Sequence, residues 1–300
     1  MSPKVAIIIL NWNRVRDTIE CLESVAKVDY PLFEIVVVDN GSTDGSPEAI
    51  SQLFPDFSLI VNEENVGYAE GNNVGIRYAL TQGFDYVCLL NNDTIVDRSF
   101  LESMVDAAEA DPRAGIVGPT VYYFDKPNII WSAGGTIDWS RGLPLLRAFN
   151  EEDEGQYGEV AEVDYVTGCA MLVRLAMAKD LGLLDPRFFM YFEEVDWCTR
   201  AVKSGFKILH VPAAKVWHNI SVEAQLVSPR IAYYMTRNHL LFLKASGVGI
   251  RTWARVVARY VRTLASYTLR PKHRAQRAKR DAMAKGVLDF WHGRRGKAEI

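Results

Sequence analysis

The sequence predicts an α/β protein: a Rossmann-like, mostly parallel central sheet followed by C-terminal helices. Apolar, strand-like runs alternate with helical patterns from residue 5 to residue 110. Each run ends abruptly on Asn, Asp or Gly, as strands do where they deliver a loop to a shared edge. With 300 residues, 49% of them hydrophobic, the chain has material for one large domain or two closely joined ones.

Val5 to Leu10 reads as a strand and Val15 to Lys27 as a helix. Glu34 to Asp39 pairs in the same way with Pro47 to Leu53, Phe57 to Val61 with Tyr68 to Thr81, and Asp85 to Leu90 with Arg98 to Ala110. Right-handed crossovers then line up Asn11 to Arg14, Asp39 to Gly45, Asn62 to Gly67 and Asn91 to Asp93 along one sheet edge. Four polar loops in succession point to a nucleotide site. Asn91 to Thr94 has two readings: a helix-capping turn, or a carboxylate that clamps magnesium or manganese on a diphosphate. Asp39 can accept the imide N–H of a pyrimidine base; the plain alternative is a tight turn, with Asp44 or Ser46 capping the helix that starts at Pro47. Gly71 and Gly75 lie one helical turn apart and permit close backbone approach. Neither GxGxxG nor GxxxxGK[ST] occurs, which removes the usual support for hydride transfer and ATP hydrolysis.

Four motifs in this order resemble the family 2 inverting glycosyltransferases, within them the bacterial rhamnosyltransferase-like members. They are Asn11-Trp12-Asn13-Arg14, the Val-Val-Asp-Asn-Gly-Ser-Thr-Asp-Gly-Ser run from Val37, Asn65 to Ile76, and Leu89 to Thr94. The resemblance spans roughly residues 4 to 245 and implies the GT-A fold, a nucleotide-sugar donor and a divalent metal, Mn2+ or Mg2+. The expected donor contacts are Asn11, Asn13, Asp39, Asn65, Gly71, Asn72, Asn91, Asn92 and Asp93. Where many relatives have Asp-x-Asp, this chain has Asn91-Asn92-Asp93, so one carboxylate remains there.

After Pro119 the alternation breaks down, and residues 125 to 160 read as a long loop carrying Trp131, Trp139 and the acidic cluster Glu151 to Glu154. By resemblance this loop covers the acceptor, with Trp131 or Trp139 stacking on a sugar; a core-packed Trp is the plain alternative, and the cluster reads as a solvated turn. Val163 to Val173 is expected as one strand whose middle, around Gly168, lets a ligand approach.

Glu193, Glu194 and Asp196 follow the aromatic run Phe188 to Phe192 at the start of a predicted helix. Compensation of the helix dipole accounts for acids there. Apolar flanks also predict burial, which raises a carboxylate's pKa and suits it to general-base work. The resemblance assigns the acceptor proton to Glu194, with Glu193 as fallback and Trp197 beside the acceptor. Relatives usually carry Asp in the place of Glu194. It also implies that His218, after the predicted strand Phe206 to Val211, completes the metal site with Asp93. Arg230 to Leu243 reads as a helix in which Arg237 faces the donor diphosphate or pairs with a carboxylate.

Residues 251 to 300 carry 14 Lys and Arg against 3 Asp and Glu, so an acidic body bears a basic tail. On a helical wheel Arg251, Arg255, Arg259 and Arg262 oppose Trp253, Val257, Tyr260, Val261 and Leu264, and the run Arg270 to Arg280 adds more charge. Docking on an anionic membrane surface and packing on the body are the two readings; nucleic acid lacks a recognition motif. Three units follow: 1–120 binds the nucleotide sugar, 121–228 binds the acceptor and supplies catalysis within the same domain, and 229–300 is a basic helical tail. Four cysteines without paired spacing, no signal-peptide pattern and no long apolar run predict a cytoplasmic protein, peripheral on the inner face of the membrane. The expected reaction is inverting transfer, of L-rhamnose from dTDP-L-rhamnose or else of a UDP-linked sugar, to a saccharide or lipid-linked saccharide. The rival is a catalytically inactive sugar- or nucleotide-binding protein of the same fold.

Overall fold

The computed structural model describes residues 2–220 and 228–299; residues 221–227, assigned to the second unit, lie outside the described residues. Four strands form the expected parallel half: β1 (Val5–Asn11), β2 (Phe33–Asp39), β3 (Ser58–Val61) and β4 (Tyr86–Asn91). Their order is β4-β1-β2-β3. The crossovers are α1 (Val15–Val25), α2 (Ser46–Leu53) and α3 (Tyr68–Thr81). Alternate strand residues feed two cores. Ala6, Ile8, Val36 and Val38 pack on one face of the sheet, and Val5, Ile7, Ile9, Ile35 and Val37 on the other. The β1 run is apolar on both faces because helices cover both.

Beyond β4 the sheet changes character. After the short β5 (Thr94–Val96) and α4 (Phe100–Ala110) come β6 (Ala114–Tyr123) and β7 (Ile129–Ser132). The hairpin of β8 (Gly135–Asp138) and β9 (Leu143–Leu146) and the short β10 (Glu151–Glu152) follow. Residues 125–160 are therefore a folded flap, not a long loop. Within the acidic cluster, Asp153 accepts a hydrogen bond from the Tyr122 hydroxyl.

The expected strand Val163–Val173 is two: β11 (Ala161–Val163), and β12 (Ala170–Arg174) inserted antiparallel between β4 and β6. β11 pairs instead with β13 (Lys207–His218), so the chain leaves one pairing to join another, and Thr167-Gly168-Cys169 lies in the turn between them. The helices α5 (Leu175–Leu181) and α6 (Glu193–Lys203) lie between β12 and β13 in sequence. β13 runs past the expected Val211, with an irregular register between Val211 and Lys215, and ends on His218 beside β5.

Three helices close the described chain: α7 (Pro229–Ser246), α8 (Ile250–Leu269) and α9 (Arg277–Trp291). The wheel of α8 divides differently from expectation. Trp253 and Tyr260 pack on the body, whereas Val257 and Val261 face outward with Ile250. In the second basic run the side chains of Lys272 and Arg274 lie outside the described residues. All four cysteines are free and buried. No helix among the described residues is long and apolar enough to cross a membrane.

Candidate active site

The strand-end loops meet as predicted, largely by bonding one another. Asn11, fully buried at the end of β1, donates to Asp39 Oδ2 (2.6 Å) and Ser42 Oγ (3.1 Å). Its Oδ1 accepts from Thr18 Oγ1 (2.8 Å) and Asn92 Nδ2 (3.2 Å). Asp39 Oδ1 takes the backbone N–H of Ser42 at 2.8 Å. A carboxylate has about four lone-pair sites, so Asp39, itself fully buried, keeps acceptor capacity beyond these two bonds. Asn13, in the left-handed region at φ 53°, accepts from Thr43 N at 2.7 Å and joins the first two loops. Asn65 takes the N–H of Gly67 (2.9 Å) and an N–H of Asn40 (3.2 Å). Asn40, which the sequence reading passed over, holds this loop by also accepting from Asn62 Nδ2 and Val66 N and donating to Gly67 O.

Two of the expected donor contacts pack the fold instead. A Cβ on Gly71 would lie 2.6 Å from Leu10 Cδ1, so this glycine lets α3 lie close on β1. Asn72 is buried and donates back to Tyr68 O within its own helix.

At the end of β4, Asp93 Oδ1 and His218 Nε2 are 2.9 Å apart, and the Asn91 amide nitrogen is 3.4 Å from the same imidazole nitrogen. Trp131 sets its ring edgewise to His218, centroids 5.5 Å apart, so it lines the metal-side pair. Burial opposes charge on both partners, yet their mutual hydrogen bond prevails. Asp93 is held below the usual carboxylate range, and His218 is pushed up to about 10, with help from the Cys169 thiol. A divalent ion fits this pair: one hard carboxylate and one imidazole converge, and the buried Oδ1 of Asn91 has no hydrogen-bond partner among the described residues. No cluster of three His, Cys, Asp or Glu adds to it among the described residues.

The carboxylate pair opens α6. Glu193 is 4% exposed, Glu194 is partly buried, and the Oε2 atom of each lacks a hydrogen-bond partner among the described residues. Burial pushes both carboxyls above the usual range, and for Glu193 the adjacent Glu194 adds to it. Tyr68, Tyr165 and Tyr191 surround the pair, and burial followed by the carboxylates' negative charge raises all three phenols. The backbone leading in is strained: Phe189, Tyr191 and Phe192 all have positive φ, at 66°, 69° and 76°. Such conformations cost roughly 1–3 kcal/mol each and persist where the surroundings impose them.

Asp196, Trp197 and Arg237 are placed otherwise than expected. Asp196 pairs with Arg200 at 2.8 Å and so supports the helix. Trp197 is fully buried and donates to Gly182 O, out of reach of an acceptor. Arg237 is also fully buried; its guanidinium donates to backbone carbonyls and to Asn238, so it faces neither a diphosphate nor a carboxylate. A cation that the sequence reading missed, Arg230, lies over the exposed Trp12 ring at 5.4 Å, beside the first loop.

The turn before β12 joins the two constellations. Gly168, whose carbonyl accepts from the Tyr68 hydroxyl, is so close to α6 that a Cβ there would lie 3.6 Å from Glu194 Cβ. Its neighbour Cys169 acts on His218 and accepts, through its carbonyl, the N–H of Asn91. Successive Cα atoms are about 3.8 Å apart, so the carboxylate pair and the Asp93–His218 pair flank one short turn.

The chain is similar to known proteins in sequence and in fold. The family model described as glycosyl transferase family 2 matches residues 6–182. N-acetylglucosaminyl-diphospho-decaprenol L-rhamnosyltransferase of Mycobacterium tuberculosis is 30% identical over 207 residues, 62% of this chain and 66% of that protein. The match thus spans just under two thirds of that relative's length. The low-salt glycan biosynthesis hexosyltransferase Agl10 of Haloferax volcanii is 26% identical over 80% of this chain and 76% of its own length. Among solved structures, a mannosyltransferase of Pyrobaculum calidifontis, in complex with GDP-Man and Mn2+, superposes with a TM-score of 0.61. It is 17% identical and aligns over 97% of this chain and 88% of that one. The fold is that of the GT-A glycosyltransferases, and with more than half its length matched the chain belongs to glycosyl transferase family 2.

Proposed function

We propose that the chain is an inverting glycosyltransferase that moves L-rhamnose from dTDP-L-rhamnose to a hydroxyl of a lipid-linked saccharide, in cell-surface polysaccharide assembly. The observation that carries this reading is the turn 168–169, which sets buried, unpartnered carboxylates beside the Asp93–His218 pair. Asp93 and His218 would hold Mn2+ or Mg2+, and the ion would neutralise charge on the departing diphosphate. His218 would serve the ion as a neutral imidazole, so metal binding there would be favoured as pH rises. Glu194, its basicity raised by burial, takes the acceptor proton while the hydroxyl attacks the anomeric carbon from the face opposite the leaving group. Asp39, Asn65 and Asn91 are the proposed base and ribose contacts, Trp131 and Gly168 the acceptor side. The sugar follows the relative named as a rhamnosyltransferase; other relatives are named as poly-β-1,6-N-acetyl-D-glucosamine synthases.

The lipid-linked acceptor is supported by α8, which presents Ile250, Val257 and Val261 outward with Arg251 and Arg255 alongside, a pattern suited to an anionic lipid surface. Arg255 and Arg259 also donate to Ser140 O and Arg141 O, which anchor the helix to the body.

The test is nucleotide release from dTDP-rhamnose and from UDP-sugars, with and without Mn2+, in the presence of a lipid-linked N-acetylglucosamine acceptor. Thermal shifts with the same nucleotides accompany it. Metal-dependent dTDP release supports the reading, and release from UDP-sugars alone replaces the donor. Absence of release together with a nucleotide-induced shift favours an inactive binding protein. Co-sedimentation with anionic but not zwitterionic vesicles tests the membrane contact.

A further inference from the structure

The strained backbone ahead of the carboxylate pair is held from another part of the chain. Residues 188–191 present four carbonyls, and each has a donor. Asn238, buried on α7, gives its amide N–H groups to Phe188 O (2.7 Å), Met190 O (2.7 Å) and Tyr191 O (2.9 Å). Phe189 O takes the N–H of Tyr68 at the start of α3 (2.6 Å). Arg237 supports Asn238: its Nε donates to Asn238 Oδ1 (2.9 Å), Nη2 to Phe188 O (3.0 Å) and Nη1 to Gly296 O (2.7 Å). Gly296, at φ 70°, closes the ring by donating to Arg187 O at 2.9 Å. The Phe189 ring stacks on Tyr234, one α7 turn before Asn238, at 5.4 Å.

We propose that Arg237 and Asn238, tied to the C-terminal segment through Gly296, are positioning residues that impose the left-handed backbone at Phe189, Tyr191 and Phe192 and so aim Glu194. The proposal rests on the reading of Glu194 as the base. Neither residue touches the reacting atoms; each acts through backbone carbonyls. Without the Asn238 amide the carbonyls of Met190 and Tyr191 lose their donor and Phe188 O keeps only Arg237 Nη2 and the Met190 N–H, and residues with a Cβ relax out of the left-handed region. The first residues of α6 then shift, and Glu194 with them. The titrating surroundings that shift with it are Glu193 and Cys198 on α6, Tyr191 before it, Tyr68 on α3 and Tyr165, with the Arg230 and Asp93 charges acting through Tyr191.

The experiment compares Asn238→Ala, Arg237→Lys and Gly296→Pro in the full chain by transfer kinetics and by amide hydrogen exchange. Arg237→Lys keeps the charge and loses the fork. Gly296→Pro removes one N–H and forbids the positive φ at a partly exposed site, so it serves should Asn238→Ala fail to fold. For Asn238→Ala, kcat is expected to fall about a hundredfold, as misplacement by about 1 Å does, with donor KM within about twofold. The acid limb of the kcat profile moves to lower pH as Glu194 becomes better solvated, and exchange accelerates at 187–193 while β1 and β4 keep wild-type protection. Gly296→Pro is expected to change the same readouts in the same direction, by less. Wild-type exchange at 187–193, or a loss of stability with kcat and its pH profile intact, overturns the proposal. A wild type without transferase activity overturns the function proposed above, and faster exchange confined to 187–193 still upholds the clamp.

Discussion

The donor edge and the carboxylate loop solve opposite problems with the same polar residue types. At the donor edge Asn11, Asp39, Ser42, Thr18 and Asn92 satisfy one another within ordinary hydrogen-bond lengths. At the carboxylate loop Glu193 and Glu194 each keep a buried oxygen without a partner among the described residues, behind three non-glycine residues at positive φ. A satisfied network fixes shape at little cost, whereas an unsatisfied one stores free energy that a reaction can use. Shape resides at the first edge and reactivity at the second. The most direct way to break this contrast is Glu194→Gln. Loss of a general base costs about 10²–10⁴-fold in rate, so transfer is expected to fall in that range with nucleotide binding intact. If Glu193→Gln falls that far and Glu194→Gln does not, the fallback base is the true one.

The Asp93–His218 pair lies between the two regions and sharpens the comparison. Asp93→Asn and His218→Ala are each expected to abolish the Mn2+-dependent part of the nucleotide-induced thermal shift. The whole nucleotide-induced stabilisation is about 2.7 kcal/mol at ligand a hundredfold above Kd, and the metal-dependent part is the difference between the shifts with and without Mn2+. A shift that survives both substitutions places the ion elsewhere.

The same contrast explains what could be read from sequence. Strand ends are local features: an apolar run stopping on Asn11, Asp39 or Asn91 marks its own loop, and the parallel order of β1 to β4 follows from alternation. The burial of Glu193 was legible in its aromatic flanks. Pairings at long range were not. Val163–Val173 looked continuous because nothing local says that β11 joins β13 while β12 enters between β4 and β6. Arg237 looked like a phosphate ligand because its actual partners, the carbonyls of Phe188 and Gly296, carry no side-chain signature in a sequence. The wheel of α8 separated polar from apolar residues but could not say that Trp253 and Tyr260 face the body while Val257 and Val261 face out.

At the donor edge the expected effect is on stability. Asn11→Leu keeps the branched shape but removes both polar atoms, so buried Asp39 Oδ2 loses its donor while Thr18 and Asn92 keep each other. Each buried polar group so exposed costs about 1–3 kcal/mol, so urea denaturation should show a loss in or above that range. A loss below it would mean that the network relaxes, and that the donor edge is less rigid than its hydrogen bonds imply.

The smallest effect tests the charge stored at the carboxylate loop. Glu193 has a folded-state pKa above its ordinary value of 4.5. The group therefore contributes stability that is fully present below pH 4.5 and is lost as pH rises through the folded value. Gln cannot ionise, so Glu193→Gln should raise Tm, and by more at pH 8 than at pH 5. Each tenfold weakening of a carboxyl's acidity on folding corresponds to about 1.4 kcal/mol, which for a chain of this length is a gain of about 2 °C. The buried histidines give the opposite slope. Burial, aided by the Arg147 charge at His210 and the Arg259 charge at His239, lowers both to about 4 from 6.5. Their contribution is present above pH 6.5 and lost as pH falls toward 4, so wild type and variant should share that acid-side loss and diverge increasingly as pH rises above 4.5. An equal Tm gain at pH 5 and pH 8 would mean that Glu193 carries no ionisation penalty in the fold, and the carboxylate loop would then differ from the donor edge in backbone strain alone.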